Sequence, residues 1–237
     1  SIHPETNLVQ VSNTKALENK SVKKDLEKIA TFEHVGQWMR AWYYPKDGET
    51  MREAVDREVL AARTTAGLLD ASTLGKIDIQ GPDAAEFLNR LYTNSWLKLG
   101  IGKCRYGLML KDDGMVMDDG VTTRLGENHF HMTTTTGGAA GVLDLMEEWL
   151  QTEWPELKVY LTSVTEEWSV ATLSGPNAGK ILKAAGVDIS LDPADFPFMT
   201  MREAHIAGLP VRIFRISFTG ELSYEINIRA RHGLALW

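Results

Sequence analysis

Apolar and polar positions change character along the chain. Residues 1–31 are polar and rich in Lys, Glu and Asn, with a thin apolar spacing at Val22, Leu26 and Ile29 that allows one weak helix from about Ser21. Residues 32–45 turn aromatic, with Trp38, Trp42, Tyr43 and Tyr44 crowded before Pro45. A helix should follow. Thr50 and Glu53 make a capping-box pair, Val55, Val59, Ala62 and Ala66 recur at helical spacing, and Gly67 closes the run. Strands are predicted over 105–111, 115–125 and 128–135, with Asp112-Asp113-Gly114 as a hairpin turn between the first two. Next comes an amphipathic helix carrying Val142, Leu145, Met146, Trp149 and Leu150. Further strands are expected over 199–206, 209–217 and 222–229, and a last helix starts near Arg231 where the chain stops.

This order contains an echo. Ile79-Gln80-Gly81-Pro82-Asp83-Ala84 returns 94 residues later as Leu173-Ser174-Gly175-Pro176-Asn177-Ala178. In both copies a β-rich run ends at Gly and Pro opens a helix, where the first N–H has no internal partner to lose. The helix faces also correspond: Ala84, Phe87, Leu88 and Leu91 match Ala178, Ile181, Leu182 and Ala185. The expected fold class is α+β: two related α/β halves with mainly antiparallel sheets, each resembling a split β-α-β unit. The expected division is a polar leader or linker over 1–31, a first part over 32–160, and a second part over 161–237 that is cut off in its closing helix.

Composition narrows the function classes. Lys and Arg number 25 against 32 Asp and Glu, a net charge of −7, which argues against general nucleic-acid binding. Cys104 is the single cysteine, so no intrachain disulfide framework exists and a reducing, cytoplasmic setting fits. No apolar run approaches the ~18–20 residues that span a bilayer, so no membrane partner is expected.

Several familiar chemical signatures fail. Gly100-Ile101-Gly102-Lys103 lacks the P-loop spacing, and no Gly-x-Gly-x-x-Gly follows a strand. His129 and His131 would share a strand face without a third ligand, so no metal site is assigned. The run Thr133–Thr136 reads most simply as β-branched strand sequence. Two carboxylates stand out. Alternation along 115–125 places Asp119 with Met115, Met117, Val121 and Leu125 on the more apolar side, and leaves Asp118 near Arg124. A carboxylate in apolar surroundings needs a partner or a raised pKa, which suits a functional acid as well as a strand-end Asp facing solvent. Glu225 lies with Ser223 and Asn227 on the polar side of its strand, where an ordinary solvated Glu is the default. Gly220 beside Thr219 and Glu221 reads as a turn bringing Phe218 near Glu225.

The segments Leu68-Leu69-Asp70-Ala71-Ser72, Gly81-Pro82-Asp83-Ala84, Met115 through Asp119, Gly175-Pro176-Asn177-Ala178, and Thr219-Gly220-Glu221 with Tyr224-Glu225 carry a resemblance in their order and spacing. From about Phe32 the chain resembles the aminomethyltransferase (glycine-cleavage T-protein) folate-binding family. Over 133–155, 196–199 and 217–225 it is most similar to the carboxyl-terminal region of the α subunit of heterotetrameric sarcosine oxidase. The resemblance implies a tetrahydrofolate cofactor and one-carbon chemistry on a small amine-derived substrate. It also implies a flavin, with NAD as a further candidate, in other parts of a parent enzyme, and further subunits as partners. Carried over residue by residue, Asp119 becomes the catalytic acid, Glu225 the acceptor for the pterin N–H pair, Tyr106 a pocket residue, and Phe218 an aromatic where the transferases often carry Tyr. The Thr133–Thr136 run stands where those transferases usually have Asn, which favours the sarcosine oxidase branch over action on a lipoyl-bound aminomethyl group. Family members continue beyond the position of Trp237 into a β-rich domain with a folate-contacting Arg, so the isolated chain is expected to be inactive. Two other readings stand beside this one: an aminomethyltransferase of glycine cleavage, and a non-catalytic folate-binding or assembly protein.

Overall fold

The computed structural model describes residues 8–11, 30–36 and 38–237. The weak helix expected from about Ser21 lies outside the described residues. In chain order the elements are β1 (Leu8–Val11), β2 (Thr31–Val35), β3 (Trp38–Tyr43), α1 (Met51–Thr64), β4 (Ala66–Asp70), β5 (Gly75–Gln80), α2 (Ala84–Leu91), β6 (Cys104–Leu110), β7 (Val116–Gly126), β8 (His129–Thr134), α3 (Ala139–Thr152), β9 (Tyr160–Ser163), β10 (Trp168–Ser174), α4 (Ala178–Ala184), β11 (Thr200–Ile206), β12 (Leu209–Arg215), β13 (Ser223–Arg229) and α5 (Gly233–Leu236). They fall into two compact units. One takes in Leu74–Thr165 with Met199–Met201; the other takes in the described residues up to Thr73, with Glu166–Phe198 and Arg202–Trp237.

The unit around 74–165 is a five-stranded sheet in the order β6-β7-β8-β5-β9. Every pairing in it is antiparallel. One face buries Ile77, Ile79, Met109 and Met132 against Phe87 of α2 and Met146 of α3. Full burial of a side chain such as Phe87 contributes about 1.5–3 kcal/mol. The hairpin turn forms as expected. Gly114 takes φ +81, its N–H donates to Lys111 O at 2.8 Å, and Met115 N–H donates to the Asp113 carboxylate at 2.9 Å.

The other unit carries a six-stranded sheet in the order β1-β4-β10-β13-β12-β11. Its main core sets Leu173, Ile213, Tyr224, Ile226 and Ile228 against Leu182 of α4. A β2–β3 hairpin and α1 complete it. Thr50 caps α1 through a full capping box with Glu53. The buried side of α1 differs from the one the spacing suggests, because Val59 is 51% exposed while Ala54 is buried. The reason is polar. Glu58 accepts the Tyr44 N–H at 2.7 Å, and Arg57 donates to Tyr44 O and to Glu49, so the segment before α1 takes the stripe next to Ala54. The Arg57 hydrogen bond, with a backbone N–H bond from Lys46, holds the Glu49 carboxyl down at about 2.

The echo is structural as well as sequential. The strand order β11-β12-β13-β10 repeats β6-β7-β8-β5. Each copy gains one more antiparallel strand beside its Gly-Pro strand: β9 next to β5, and β4 next to β10. The split β-α-β unit is made by β8, α3 and β9, which run parallel with β5 between them. The Gly-Pro helices join antiparallel strands instead, since three antiparallel steps separate β5 from β6. Helix α2 is counted from Ala84, with Pro82 in the turn before it. Both turns demand glycine. Gly81 has φ +130 and Gly175 φ +122, and a Cβ would lie 2.1 Å from Lys158 O in the first and 2.6 Å from Ala62 O in the second.

Candidate functional site

Asp119 and Tyr106 meet on β7 and β6. The Tyr106 hydroxyl donates to Asp119 Oδ2 at 2.9 Å. That bond, with minor help from burial, raises the Tyr106 pKa above its ordinary value. Tyr106 faces Val121 in the ladder and Asp119 faces Leu108, so the acid does have the apolar neighbours that alternation suggests. That side is not the core side of the sheet, however. Asp118, opposite Met109, points to the core side and is 4% exposed, whereas Asp119 is half-buried on the opposite side. From Asp118 to Thr123 the alternation runs unbroken, so Asp119 keeps the company of Val121; Leu110 pairs with Val116 but Met109 with Asp118, so Met117 is an extra residue that sets only Met115 and Val116 out of step.

The expected neighbourhood of Asp118 and Arg124 is also different. Arg124 donates to the carbonyls of Leu99, Gly126 and Glu127. Asp118 accepts from the Thr135 hydroxyl at 2.5 Å and the Thr135 N–H at 3.3 Å. Burial raises the Asp118 pKa, the Thr135 bonds oppose it, and the charge of Asp119 adds to it. Thr133 is equally occupied: its hydroxyl receives the Val121 N–H at 3.1 Å and returns a bond to Val121 O at 3.3 Å. Gly120 lets β8 come this close, since a Cβ there would lie 1.8 Å from Thr133 O. The threonine run is therefore more than strand filler. The only signal for it in the sequence is the clustering of four hydroxyls before Gly137-Gly138.

His129 and His131 project from one face of β8 onto a single carboxylate. Asp78 Oδ1 lies 2.6 Å from His131 Nδ1 and Oδ2 lies 3.0 Å from His129 Nε2. Burial pushes the Asp78 carboxyl up, but the bonds and charges of the two imidazoles outweigh it and its pKa is lowered. Among the described residues no group of three or more His, Cys, Asp or Glu is placed to hold a metal ion.

Glu225 lies in the other unit, on β13 between Thr172 of β10 and Phe214 of β12. Tyr224 and Ile226 on either side of it enter the core, which leaves Glu225 on the opposite face beside buried Thr172 and Phe214. Phe218 is 91% exposed in the loop before β13. That loop is built as a turn. Gly220 has φ +83, Gly220 N–H donates to Ser217 Oγ at 3.0 Å, and Arg63 holds both Thr219 O at 2.9 Å and the Glu221 carboxylate at 2.6 Å. The structure thus joins Asp119 to Tyr106, and sets Glu225 and Phe218 on neighbouring strand and loop, each pair within its own unit.

Residues 22–237 match the family model described as the GCVT N-terminal domain. The chain belongs to this family. It is 57% identical over 211 residues to the sarcosine oxidase subunit alpha of Corynebacterium sp. (strain P-1), covering 88% of this chain and 22% of that relative. It therefore spans about a fifth of that protein's length. Among solved structures, the glycine cleavage system aminomethyltransferase T from Bartonella henselae is similar with a TM-score of 0.75 and 27% identity, covering 91% of this chain and 54% of that one. The heterotetrameric sarcosine oxidase from Corynebacterium sp. U-96 shares the fold at a TM-score of 0.52 and 19% identity, covering 73% of this chain and 82% of that one. No helix among the described residues is long and apolar enough to cross a membrane.

Proposed function

We propose that this chain is the tetrahydrofolate-binding, one-carbon-accepting region of a sarcosine oxidase-like flavoenzyme, working with other subunits in the cytoplasm. The observation that carries the reading is the Tyr106–Asp119 bond: a half-buried carboxylate held by a phenol on the open face of its sheet, in a chain 57% identical to a sarcosine oxidase subunit alpha.

The donor chemistry fits folate. Pterin offers a ring N–H beside an exocyclic amino group, and one carboxylate accepts such a pair in bidentate fashion. Glu225 supplies that carboxylate from a rigid central strand, flanked by Thr172 and Phe214. Bound tetrahydrofolate supplies the nitrogen nucleophile that takes up the one-carbon unit. Asp119 would orient that nitrogen, stabilise positive charge on the incoming iminium carbon, and pass the proton that the nitrogen loses to the amine, which leaves as its bond to that carbon breaks. Tyr106 keeps the Asp119 carboxylate in one rotamer. Phe218 offers an exposed ring for stacking on the pterin but no hydroxyl to bond it. The flavin is assigned to parts of the parent enzyme outside this region, with NAD as a further candidate there.

A glycine-cleavage aminomethyltransferase is the second reading, supported by the 0.75 TM-score to such an enzyme. Tetrahydrofolate-dependent ammonia release from an aminomethyl-lipoyl carrier separates the two. For the main reading, tetrahydrofolate is titrated against the native assembly and its Glu225→Gln variant. Loss of a charge-assisted bond of about 1.5–3 kcal/mol should weaken binding by about tenfold to a hundredfold. Equal affinity sinks the pterin role of Glu225.

A further inference from the structure

We propose that Asp118, Thr135 and Gly138 form a clasp that decides which of two adjacent acids faces outward, and so aims Asp119. The proposal rests on reading Asp119 as the acid that meets the one-carbon unit, and it assigns Asp118 and Thr135 as positioning residues.

Two consecutive aspartates are chemically identical, so the side each takes depends on register alone. In a strand a one-residue slip sends every side chain to the opposite face. Continued without a bulge from Leu110↔Val116, the β6–β7 ladder would set Asp118 opposite Leu108 and Asp119 opposite Gly107. The observed pairing sets Asp119 opposite Leu108 and Asp118 opposite Met109, because Met117 is inserted as the bulge. Relative to that continuation the bulge exchanges the two acids between the faces, in step with the unbroken ladder from Met109↔Asp118 to Cys104↔Thr123.

Something must hold that exchange, since it buries the Asp118 carboxylate, and a buried carboxylate is costly unless well bonded. Thr135 does this from the loop between β8 and α3. Its hydroxyl donates to Asp118 Oδ1 at 2.5 Å and its N–H to Asp118 Oδ2 at 3.3 Å. The same hydroxyl accepts the Gly138 N–H at 3.2 Å, at the N-cap of α3. Gly138 leaves the space for it: a Cβ there would lie 2.4 Å from Asp118 Oδ1 and 2.7 Å from Thr135 Oγ1. With Asp118 tied inward to the start of α3, the roll of β7 is fixed, and its neighbour is delivered to the opposite face within reach of the Tyr106 hydroxyl.

Thr135→Val keeps the shape and removes the hydroxyl, while Thr135→Ser restores it. The direct readout is the titration of Tyr106, followed by fluorine NMR of fluorotyrosine-labelled native assembly and assigned with Tyr106→Phe. In the wild type this phenol titrates above an ordinary tyrosine. In Thr135→Val it should return toward the ordinary value, and in Thr135→Ser it should stay raised. One-carbon capture should fall about tenfold in Thr135→Val with tetrahydrofolate affinity unchanged, a split that simple loss of stability does not produce. Gly138→Ala, which pushes directly on the Asp118 carboxylate, should give the same shift if Thr135→Val folds poorly. An unmoved Tyr106 titration in both variants overturns the clasp. A moved titration with full capture, matched by full capture in Asp119→Asn, supports the clasp and removes the catalytic reading of Asp119 instead.

Discussion

Tyr106 and Thr135 divide the two acids of β7 between them. Tyr106 bonds Asp119 on the half-open side, and Thr135 bonds Asp118 on the core side. Their electrostatics diverge accordingly. Burial, with the neighbouring Asp119 charge, raises the Asp118 pKa against the opposing Thr135 bonds, so the folded state holds that proton more tightly than the unfolded chain does. The sign follows from linkage: the contribution of Asp118 to stability is fully present below the ordinary carboxylate pKa and is lost as pH rises through the raised folded value. Thermal melts at pH 4 and pH 7 should therefore show a smaller decline across this range in Asp118→Asn than in the wild type. An identical decline would show that Asp118 carries no such proton.

At the scale of elements, the recurring feature is a strand that ends on a glycine pressed against another backbone. Gly81 and Gly175 both hold positive φ, and both would drive a Cβ to within 2.6 Å or less of a carbonyl oxygen. Alanine at either position combines left-handed strain with a backbone collision, so a loss of about 2 kcal/mol or more is expected in denaturant melts. A neutral Gly175→Ala would mean that this turn is far more yielding than its geometry. These turns were legible in the sequence because Gly-Pro needs no tertiary knowledge: one residue fits the backbone and the other forbids a donor. The strands were legible for the same kind of reason, and 200–206, 209–215 and 223–229 lie within the expected runs. Facing was harder. Alternation counted from Met115 assumes an unbroken strand and does not say which side is the core, and the partner that Asp118 finds there, Thr135, lies 17 residues beyond it. Val59 differs for another reason, because the bonds of Arg57 and Glu58 to the Tyr44–Glu49 segment set that segment beside Ala54 and leave Val59 exposed.

For the molecule as a whole, duplication explains why two acids of different character stand on comparable sheets. Both copies use the same strand order, yet Asp119 arises from the second strand of its copy and Glu225 from the third. The copies have thus diverged in what they present while keeping their cores, Ile79 and Phe87 in one, Leu173 and Leu182 in the other. The match to the GCVT N-terminal domain over 22–237 places this pair of sheets in a family of known architecture. A relative 57% identical is covered over only 22% of its length. The central claim is that Asp119 helps move a one-carbon unit onto tetrahydrofolate. Its most direct test is the yield of methylene-tetrahydrofolate, against free formaldehyde, during sarcosine turnover by the native assembly carrying Asp119→Asn. Unchanged sarcosine oxidation with formaldehyde released in place of methylene-tetrahydrofolate is the predicted result; an unchanged methylene-tetrahydrofolate yield would contradict it.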